Sequence, residues 1–410
     1  MLTALAVALG PNAAAGQDPF TVAVRAADSA WAAGRFPEAK VGYLQVIGLD
    51  STGSSRAVYR LAVLRSWDGD LAQAIPLFAR YTRLEPQDEE GRIALARAYG
   101  WAGQWATAVA VYDSILSRDR TYRDAALGAA QTLAWAGRFD QALHRYDRWI
   151  AENGKDGEAA LARARTLAWA GRLNTAEASY REIVADGEVL EGTKGVAIVA
   201  AWRGDLFRSE GLWRAVTTEY PKDAEAWVGL AQVLRWSGRP EEAGEALDRA
   251  LIANPNNADA RTQRRWVLAD LAPALAPSAV VGWDSDGNQT AAMTVRATFR
   301  PWRRVSAALG ATGRRAEFAE VEGRSVATRL SLRWLADRRL TLSGDLGATQ
   351  THGERATQVV DRTRAVGAVQ ATVRVGSRAS IGGGVGRDVF DETASLMLGV
   401  TVGAPVAITW

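Results

Sequence analysis

The chain has 410 residues, which is long for one domain and predicts at least two hydrophobic cores. Its 49 basic and 46 acidic residues nearly cancel, and a net charge of +3 argues against a nucleic-acid partner. The lack of cysteine excludes disulfides, thiolate metal sites and cysteine nucleophiles. With His144 and His352 as the only histidines, we expect no catalytic triad, no metal and no cofactor. The composition therefore predicts a protein that is not an enzyme.

Residues 1–15 have the pattern of a secretory signal peptide. An apolar run from Leu2 to Gly10 is followed by Pro11 and by small residues, so cleavage is expected after Ala15. The basic stretch that normally precedes such a run is missing. Either translation starts upstream of Met1, or the segment is simply an apolar N-terminus. We favour export, and elsewhere no segment is long and apolar enough for a membrane-spanning helix.

A period of about 34 residues runs through the first two thirds of the chain. Segments such as LAWAGRFDQA (133–142) and LAWAGRLNTA (167–176) are nearly identical. Each copy contains a tryptophan, and successive tryptophans are 33 to 36 residues apart. The seven are Trp31, Trp67, Trp101, Trp135, Trp169, Trp202 and Trp236. Self-similarity at such a period predicts a repeat architecture.

Each repeat predicts two helices separated by a glycine, because glycine enters the left-handed region at little cost after a helix. A small residue follows in the second helix, and an aromatic residue often comes four positions later. This pattern resembles the tetratricopeptide repeat, and the resemblance covers residues 21 to about 254. A closing helix is expected from about Ala258, which gives an α-solenoid over residues 21–271. The resemblance implies a groove that binds a protein partner.

The recurring tryptophans allow two interpretations. Each indole could close the end of a first helix and fill the gap to the next repeat. Alternatively, indoles along a groove could stack on sugar rings or anchor a peptide. Because every repeat keeps the tryptophan, we favour packing. The candidate groove or packing aromatics are Trp67, Trp101, Trp135, Trp169, Trp202 and Trp236.

The period changes to two after a proline-spaced linker at residues 272–278. In AAMTVRATFR (291–300), for example, apolar and polar residues alternate, as expected for strands with one apolar face. We predict eight strands, most of them 9 to 11 residues long. Their approximate bounds are 279–283, 291–300, 304–312, 325–335, 339–348, 365–375, 379–389 and 394–402.

The connectors alternate between short and long, which is typical of outer-membrane barrels. Tight turns follow the even strands, whereas longer polar loops are expected at 284–290, 313–323 and 349–364. We therefore predict an antiparallel transmembrane β-barrel over residues 279–410, with a soluble β-sandwich as the alternative. Residues 406–410 look like the start of a ninth strand, so we expect a truncated barrel. The alternative is a complete eight-stranded barrel ending at Trp410.

Residues 276–410 contain 17 arginines and no lysine against 12 acidic residues, and several arginines lie on the polar face of the predicted strands. Such side chains could line a basic lumen that attracts an anionic solute or polymer. In a narrow barrel they would instead be structural partners of Asp345 and Asp388, which we favour slightly. The candidates are Arg296, Arg300, Arg329, Arg333 and Arg374. The segment 284–288 faintly resembles a calcium loop, but an Asp-Gly hairpin explains it more simply.

The combination of LAWAGRFDQAL repeats, DSDGN at the start of the β region and RDVFDETASL resembles YaiO-type outer-membrane β-barrel proteins with periplasmic tetratricopeptide repeats. The plan is also similar to the outer-membrane subunits of exopolysaccharide export systems. The resemblance implies a cell outer-membrane location and partners that include an envelope protein, outer-membrane lipid and an anionic polysaccharide. Export or assembly of exopolysaccharide or envelope components is the leading functional hypothesis. A non-conducting interaction scaffold anchored in the outer membrane is the alternative.

Overall fold

A computed structural model describes residues 18–49, 54–283, 289–318, 321–337, 339–355, 358–375, 379–387 and 395–402. The chain divides into two compact units, residues 1–172 and 173–410. The predicted signal peptide, the calcium-like segment 284–288 and the proposed ninth strand all lie outside the described residues. Among the described helices, none combines the length and the apolar composition that crossing a membrane requires.

The described residues contain fifteen α-helices, and consecutive helices pair into seven repeats followed by a closing helix. This confirms the predicted solenoid. In chain order the helices are α1 Pro19–Ala32, α2 Phe36–Leu49, α3 Ser55–Trp67, α4 Leu71–Leu84, α5 Glu89–Trp101, α6 Trp105–Leu116, α7 Arg123–Trp135, α8 Phe139–Asn153, α9 Gly157–Trp169, α10 Leu173–Ala185, α11 Val189–Trp202, α12 Leu206–Glu219, α13 Ala224–Trp236, α14 Pro240–Ala253 and α15 Ala258–Leu271.

From the second repeat onward, the first helix ends at its tryptophan because a left-handed glycine follows two residues later. Gly137 has φ +72°, and the amide of the next residue, Arg138, donates to the carbonyl of Leu133 at 2.9 Å. This six-to-one hydrogen bond satisfies a carbonyl that the helix end leaves without a partner. The same positive φ recurs at the corresponding glycine of every repeat. The helix ends were therefore predictable from a local rule.

Packing between repeats depends on an aromatic side chain of the second helix. Tyr112 of α6 lies against Gly128 of α7, where an added β-carbon would be 2.6 Å from the ring. Trp213 of α12 lies against Gly229 of α13 in the same way, at 2.5 Å. Because both aromatic side chains are buried, each repeat completes its core with a residue of its neighbour.

Eight antiparallel strands follow the helices and are joined by seven consecutive pairings in chain order. Among the described residues, β1 and β8 are the two edges of this sheet, so closure into a barrel stays a prediction. The strands are β1 Ala274–Trp283, β2 Gln289–Trp302, β3 Val305–Phe318, β4 Val321–Leu335, β5 Leu340–Arg355, β6 Gln358–Val375, β7 Ala379–Arg387 and β8 Ser395–Val402.

Two features of the predicted β region were wrong. Most of the linker 272–278 is strand, since β1 begins at Ala274 and accommodates Pro277 on a sheet edge, where a missing N–H is tolerated. The predicted long loops 313–323 and 349–364 are mainly strand as well, because the two hairpins continue with paired residues up to 318 and 355. These extensions carry polar residues on both faces and so lack the apolar alternation used to find strands.

The register places the predicted apolar residues of neighbouring strands on one face. Leu309 pairs with Leu330, which pairs with Leu346, and all three side chains are exposed. A row of large hydrophobic residues extends over this face. Its exposed members on β2 to β7 include Met293, Phe299, Leu309, Val326, Leu330, Leu332, Trp334, Leu346, Val369, Val373, Ile381 and Val385.

Replacing Gly229 tests the packing between repeats. We expect G229A to lower the free energy of unfolding by about 1–3 kcal/mol, because the new methyl group would overlap the Trp213 ring. The matched control is G211A in α12, where an added β-carbon has no heavy atom within 4 Å. That variant should be more stable by about 0.5–1 kcal/mol. Urea unfolding of both variants measures the difference, and equal effects would contradict the packing.

Candidate functional site

The first helices of neighbouring repeats line one side of the N-terminal unit. Helix α5 contacts α7, and α7 contacts α9, which brings these helices together across the repeats. Each presents outward-facing residues at the same positions of the repeat. In α7 these residues are Asp124, Gln131 and Trp135, which share a face because they lie seven and four residues apart. This face is the candidate binding surface.

Tryptophans stand at one edge of that face. The exposed fractions of Trp67, Trp101 and Trp135 are 60%, 55% and 44%, which is high for so large an apolar side chain. Trp169 is partly buried. We name these four residues, Trp67, Trp101, Trp135 and Trp169, the indole row. In the second unit, the corresponding Trp202 and Trp236 are partly buried.

Three of the four indoles also contact the preceding repeat. Trp67 stacks on Trp31 with ring centroids 5.6 Å apart and an interplanar angle of 22°. Trp135 lies against Gly100, the residue before Trp101, at 3.7 Å from where a β-carbon would be. Trp169 packs on the cluster that contains Leu133. The row therefore has one packed side and one open side, so both interpretations of the sequence describe a part of it.

Carboxylates stand at the opposite edge of the same face. Asp124 accepts a hydrogen bond from Arg97 of the preceding repeat at 2.8 Å. Arg123 donates to Glu158 of the following repeat, also at 2.8 Å, and its hydrogen bonds to Asp156 hold the pKa of that carboxyl well below its usual range. These pairs cancel most of the charge on the face.

This acidic edge was not predicted from the sequence. Glu90, Asp124 and Glu158 are spaced by 34 residues, so the period that revealed the tryptophans also marked them. They were overlooked because acidic residues in the first turn of a helix are common for a different reason, namely the helix dipole.

The predicted lumen arginines are separated by the structure into two groups. Arg296 of β2 and Arg329 of β4 each pair with Gly310 of β3, so they lie on the same face with only a glycine between them. Arg333 lines a cavity of about 270 Å³ together with Asp270 and Asp345. The side chain of Arg374 lies outside the described side chains. Asp388, which we predicted to be a structural partner of these arginines, lies outside the described residues.

Arg300 instead reaches the solenoid. Its guanidinium lies 3.4 Å from Glu241 of α14. The adjacent turn between β2 and β3 adds two more ion pairs, Arg303 with Glu245 at 2.9 Å and Arg304 with Glu242 at 3.0 Å. We name these three pairs the arginine junction. It joins the sheet to the last repeat and was not predicted, because its partners are about 60 residues apart in sequence.

The centre of the junction is buried. Glu242 also pairs with Arg239, whose side chain is 4% exposed and which donates to Glu210 at 2.8 Å. Burial opposes ionisation of Glu242, but hydrogen bonds from Arg239 and Arg304 outweigh it and lower its pKa to about 2. Arg304 has φ +63°, an uncommon conformation for a residue with a side chain.

Within the described residues, no group of three or more potential ligands is placed to hold a metal ion. His144 is exposed in a groove of about 410 Å³ that Arg145 and Trp149 also line. His352 lies between neighbouring strands, with its Nδ1 atom 2.6 Å from Asp361.

Family models described as tetratricopeptide repeat match residues 24–90, 67–121, 102–166 and 211–264. A solved tetratricopeptide repeat protein from Parabacteroides merdae ATCC 43184 is 14% identical, with a TM-score of 0.51 over 61% of this chain and 98% of that chain. The helical part of the chain is thus a tetratricopeptide-repeat solenoid. The family matches end before the sheet begins.

Two further solved proteins are similar at lower TM-scores. YrrB, described as a tetratricopeptide-repeat protein with an unusual peptide-binding site, is 20% identical over 46% of this chain and 97% of that chain, with a TM-score of 0.30. A thermophilic tetratricopeptide-repeat protein from Thermus thermophilus is 20% identical over 52% of this chain and 99% of that chain, with a TM-score of 0.36. No curated protein matches the chain.

Replacing Glu242 tests the arginine junction. We expect E242Q to lower the free energy of unfolding by about 1–3 kcal/mol, because it removes one of the two carboxylates that pair with the buried guanidinium of Arg239. The control E245Q removes a pair whose side chains are both exposed, so its cost should stay below about 1 kcal/mol. Urea unfolding at pH 7 measures both, and equal costs would contradict the burial.

Glu242 should also make the stability of the protein depend on pH. The folded-state pKa of Glu242 lies below its ordinary value of 4.5, so its stabilisation is fully present above pH 4.5 and is lost as the pH falls towards 2. The E242Q variant should lose less stability than the parent protein when the pH falls from 4.5 towards 2. Acid titration of both proteins by circular dichroism measures it, and identical acid transitions would argue against the role of this carboxylate.

Proposed function

We propose that the protein is a protein-binding scaffold seated in the outer membrane of a bacterium by its β-sheet. Tetratricopeptide-repeat solenoids bind protein partners, and the open side of the indole row provides a surface for one. The proposal places the repeats in the periplasm and assigns no catalytic activity to the chain.

The exposed apolar face of the sheet is the single observation that carries the membrane assignment. Leu309 and Leu346 expose 54% and 67% of their surface, although they lie in the middle of their strands. Apolar patches of this extent are unusual on a surface that faces water. Lipid contact would remove the cost of this exposure, since barrels in outer membranes present an apolar band outward.

The opposite face of the sheet supports the same arrangement. Its residues are polar or small, as in the row formed by Ala308, Ser331 and Asp345, where the Ser331 hydroxyl donates to Asp345. Such a face suits an aqueous or side-chain-filled interior. The resemblance to YaiO-type proteins agrees with this arrangement.

Export of an anionic solute or exopolysaccharide is the second candidate function. Arg296 and Arg329 favour it, because they lie on the polar face on either side of Gly310 and would attract negative charge. The arginine junction limits this idea, since Arg300 is already paired with Glu241.

Charge substitutions on the two faces test the membrane assignment. L346R on the apolar face should reduce recovery in the outer-membrane fraction, because an arginine facing lipid near the bilayer centre costs about 2–4 kcal/mol. The matched control T351R lies on the polar face of the same strand and should fractionate like the parent protein. If both variants and the parent stay soluble when expressed with a complete leader, the assignment is wrong.

Planar-bilayer recording of the purified protein separates the anchor from the exporter. We expect no persistent conductance, because the arginine junction joins one end of the sheet to the last repeat. Stable channels that R296A and R329A make less anion-selective would favour export instead.

A further inference from the structure

We infer that the indole row binds an extended, uncharged, proline-rich segment of the partner protein, with one proline to each repeat. This inference rests on the proposed scaffold function and specifies the chemistry of its ligand. Three properties of the row point to it, namely its charge, its hydrogen-bond donors and its spacing.

Except for Arg165, the charged side chains on the outward face of α5, α7 and α9 are hydrogen-bonded within the protein. Arg97 is paired with Asp124, Arg123 with Glu158, and the Tyr122 hydroxyl donates to Glu90 at 2.7 Å. A strongly charged ligand would have to compete with these pairs, whereas a neutral ligand leaves them intact. Uncharged rings are therefore the best complement to the exposed indoles.

Donors without partners stand one helical turn from the indoles. The side chains of Gln131 and Arg165 have no hydrogen-bond partner among the described residues, and each lies four positions before a tryptophan of the row. A polyproline II segment has no internal hydrogen bonds, so its carbonyl groups are available as acceptors. Aromatic grooves that bind such segments combine ring stacking with donors to these carbonyls.

The spacing of the row matches the ligand period. Helices α5, α7 and α9 contact one another in turn, and helices in contact lie about 8–10 Å apart. A polyproline II helix has three residues per turn and a rise of about 3.1 Å, so it repeats at about 9 Å. A proline at every third position would thus meet Trp101, Trp135 and Trp169 in succession.

A synthetic peptide of the form (Pro-Ala-Gln)4 tests the inference against the full-length protein. The comparison peptide has the same composition with irregularly spaced prolines, and cellohexaose serves as the uncharged glycan probe. Calorimetry and indole fluorescence should detect binding of the periodic peptide. W101A, W135A and Q131A should each weaken it about tenfold or more. The control W266A removes an equally exposed indole from α15 and should leave binding unchanged.

Several results would overturn the inference. Equal binding of the irregular peptide would refute the proposed match between the proline spacing and the repeat spacing. Cellohexaose binding that requires Trp101 and Trp135 would instead identify a glycan-binding surface. Failure of Q131A to fold is detected by circular dichroism, and the tryptophan variants then decide. A photocrosslinker at position 131 reports on the scaffold itself. If a protein is crosslinked in cells but the peptide does not bind, only the ligand class is refuted. If there is neither a crosslinked protein nor peptide binding, the scaffold function is refuted as well.

Discussion

The aromatic side chains of second helices, such as Tyr112 and Trp213, have no complete pocket within their own repeat, and the rest of the solenoid follows from this constraint. Tyr112 and Trp213 are buried only because Gly128 and Gly229 of the next repeat leave room for their rings. This contact brings neighbouring first helices together. Since the first helices α3, α5, α7 and α9 all end at their tryptophan, these tryptophans form a row. The candidate binding surface is thus a consequence of the packing between repeats.

Much of the solenoid was predictable because its signals are local and repeated. The tryptophan, the left-handed glycine and the small residue of each copy act within a few positions of one another, as Gly137 shows. The open side of the indole row was harder to predict. A regular period says that a residue has one environment in all repeats, but the exposed fraction of Trp101 depends on contacts made across repeats.

The sheet shows where local patterning stops being informative. Its apolar alternation correctly gave eight strands and their two faces. The polar extensions of β5 and β6 were not predicted, because they have no apolar face. Their side chains interact across the hairpin instead, as His352 does with Asp361. The arginine junction was not predicted for another reason. Arg304 and Glu242 meet only after both parts have folded, so neither segment predicts the other.

The junction gives the sheet and the last repeat a common attachment. Arg239 pairs with both Glu210 and Glu242. Glu242 also pairs with Arg304 and so attaches the β2–β3 turn to the last repeat. A sheet seated in a membrane would therefore present the last repeat close to that surface. The exposed apolar face and the attached solenoid are the two observations that support the proposed envelope scaffold.

The most direct test of this account uses the absence of cysteine from the chain. Single cysteines at Leu309 and Leu330 lie on the apolar face, and cysteines at the neighbouring Ala308 and Ser331 lie on the polar face. Labelling in isolated outer membranes with a lipid-soluble and a water-soluble maleimide compares the two faces. The account predicts that positions 309 and 330 react with the lipid-soluble reagent and resist the water-soluble one. Equal reaction of all four positions with the water-soluble reagent would contradict it.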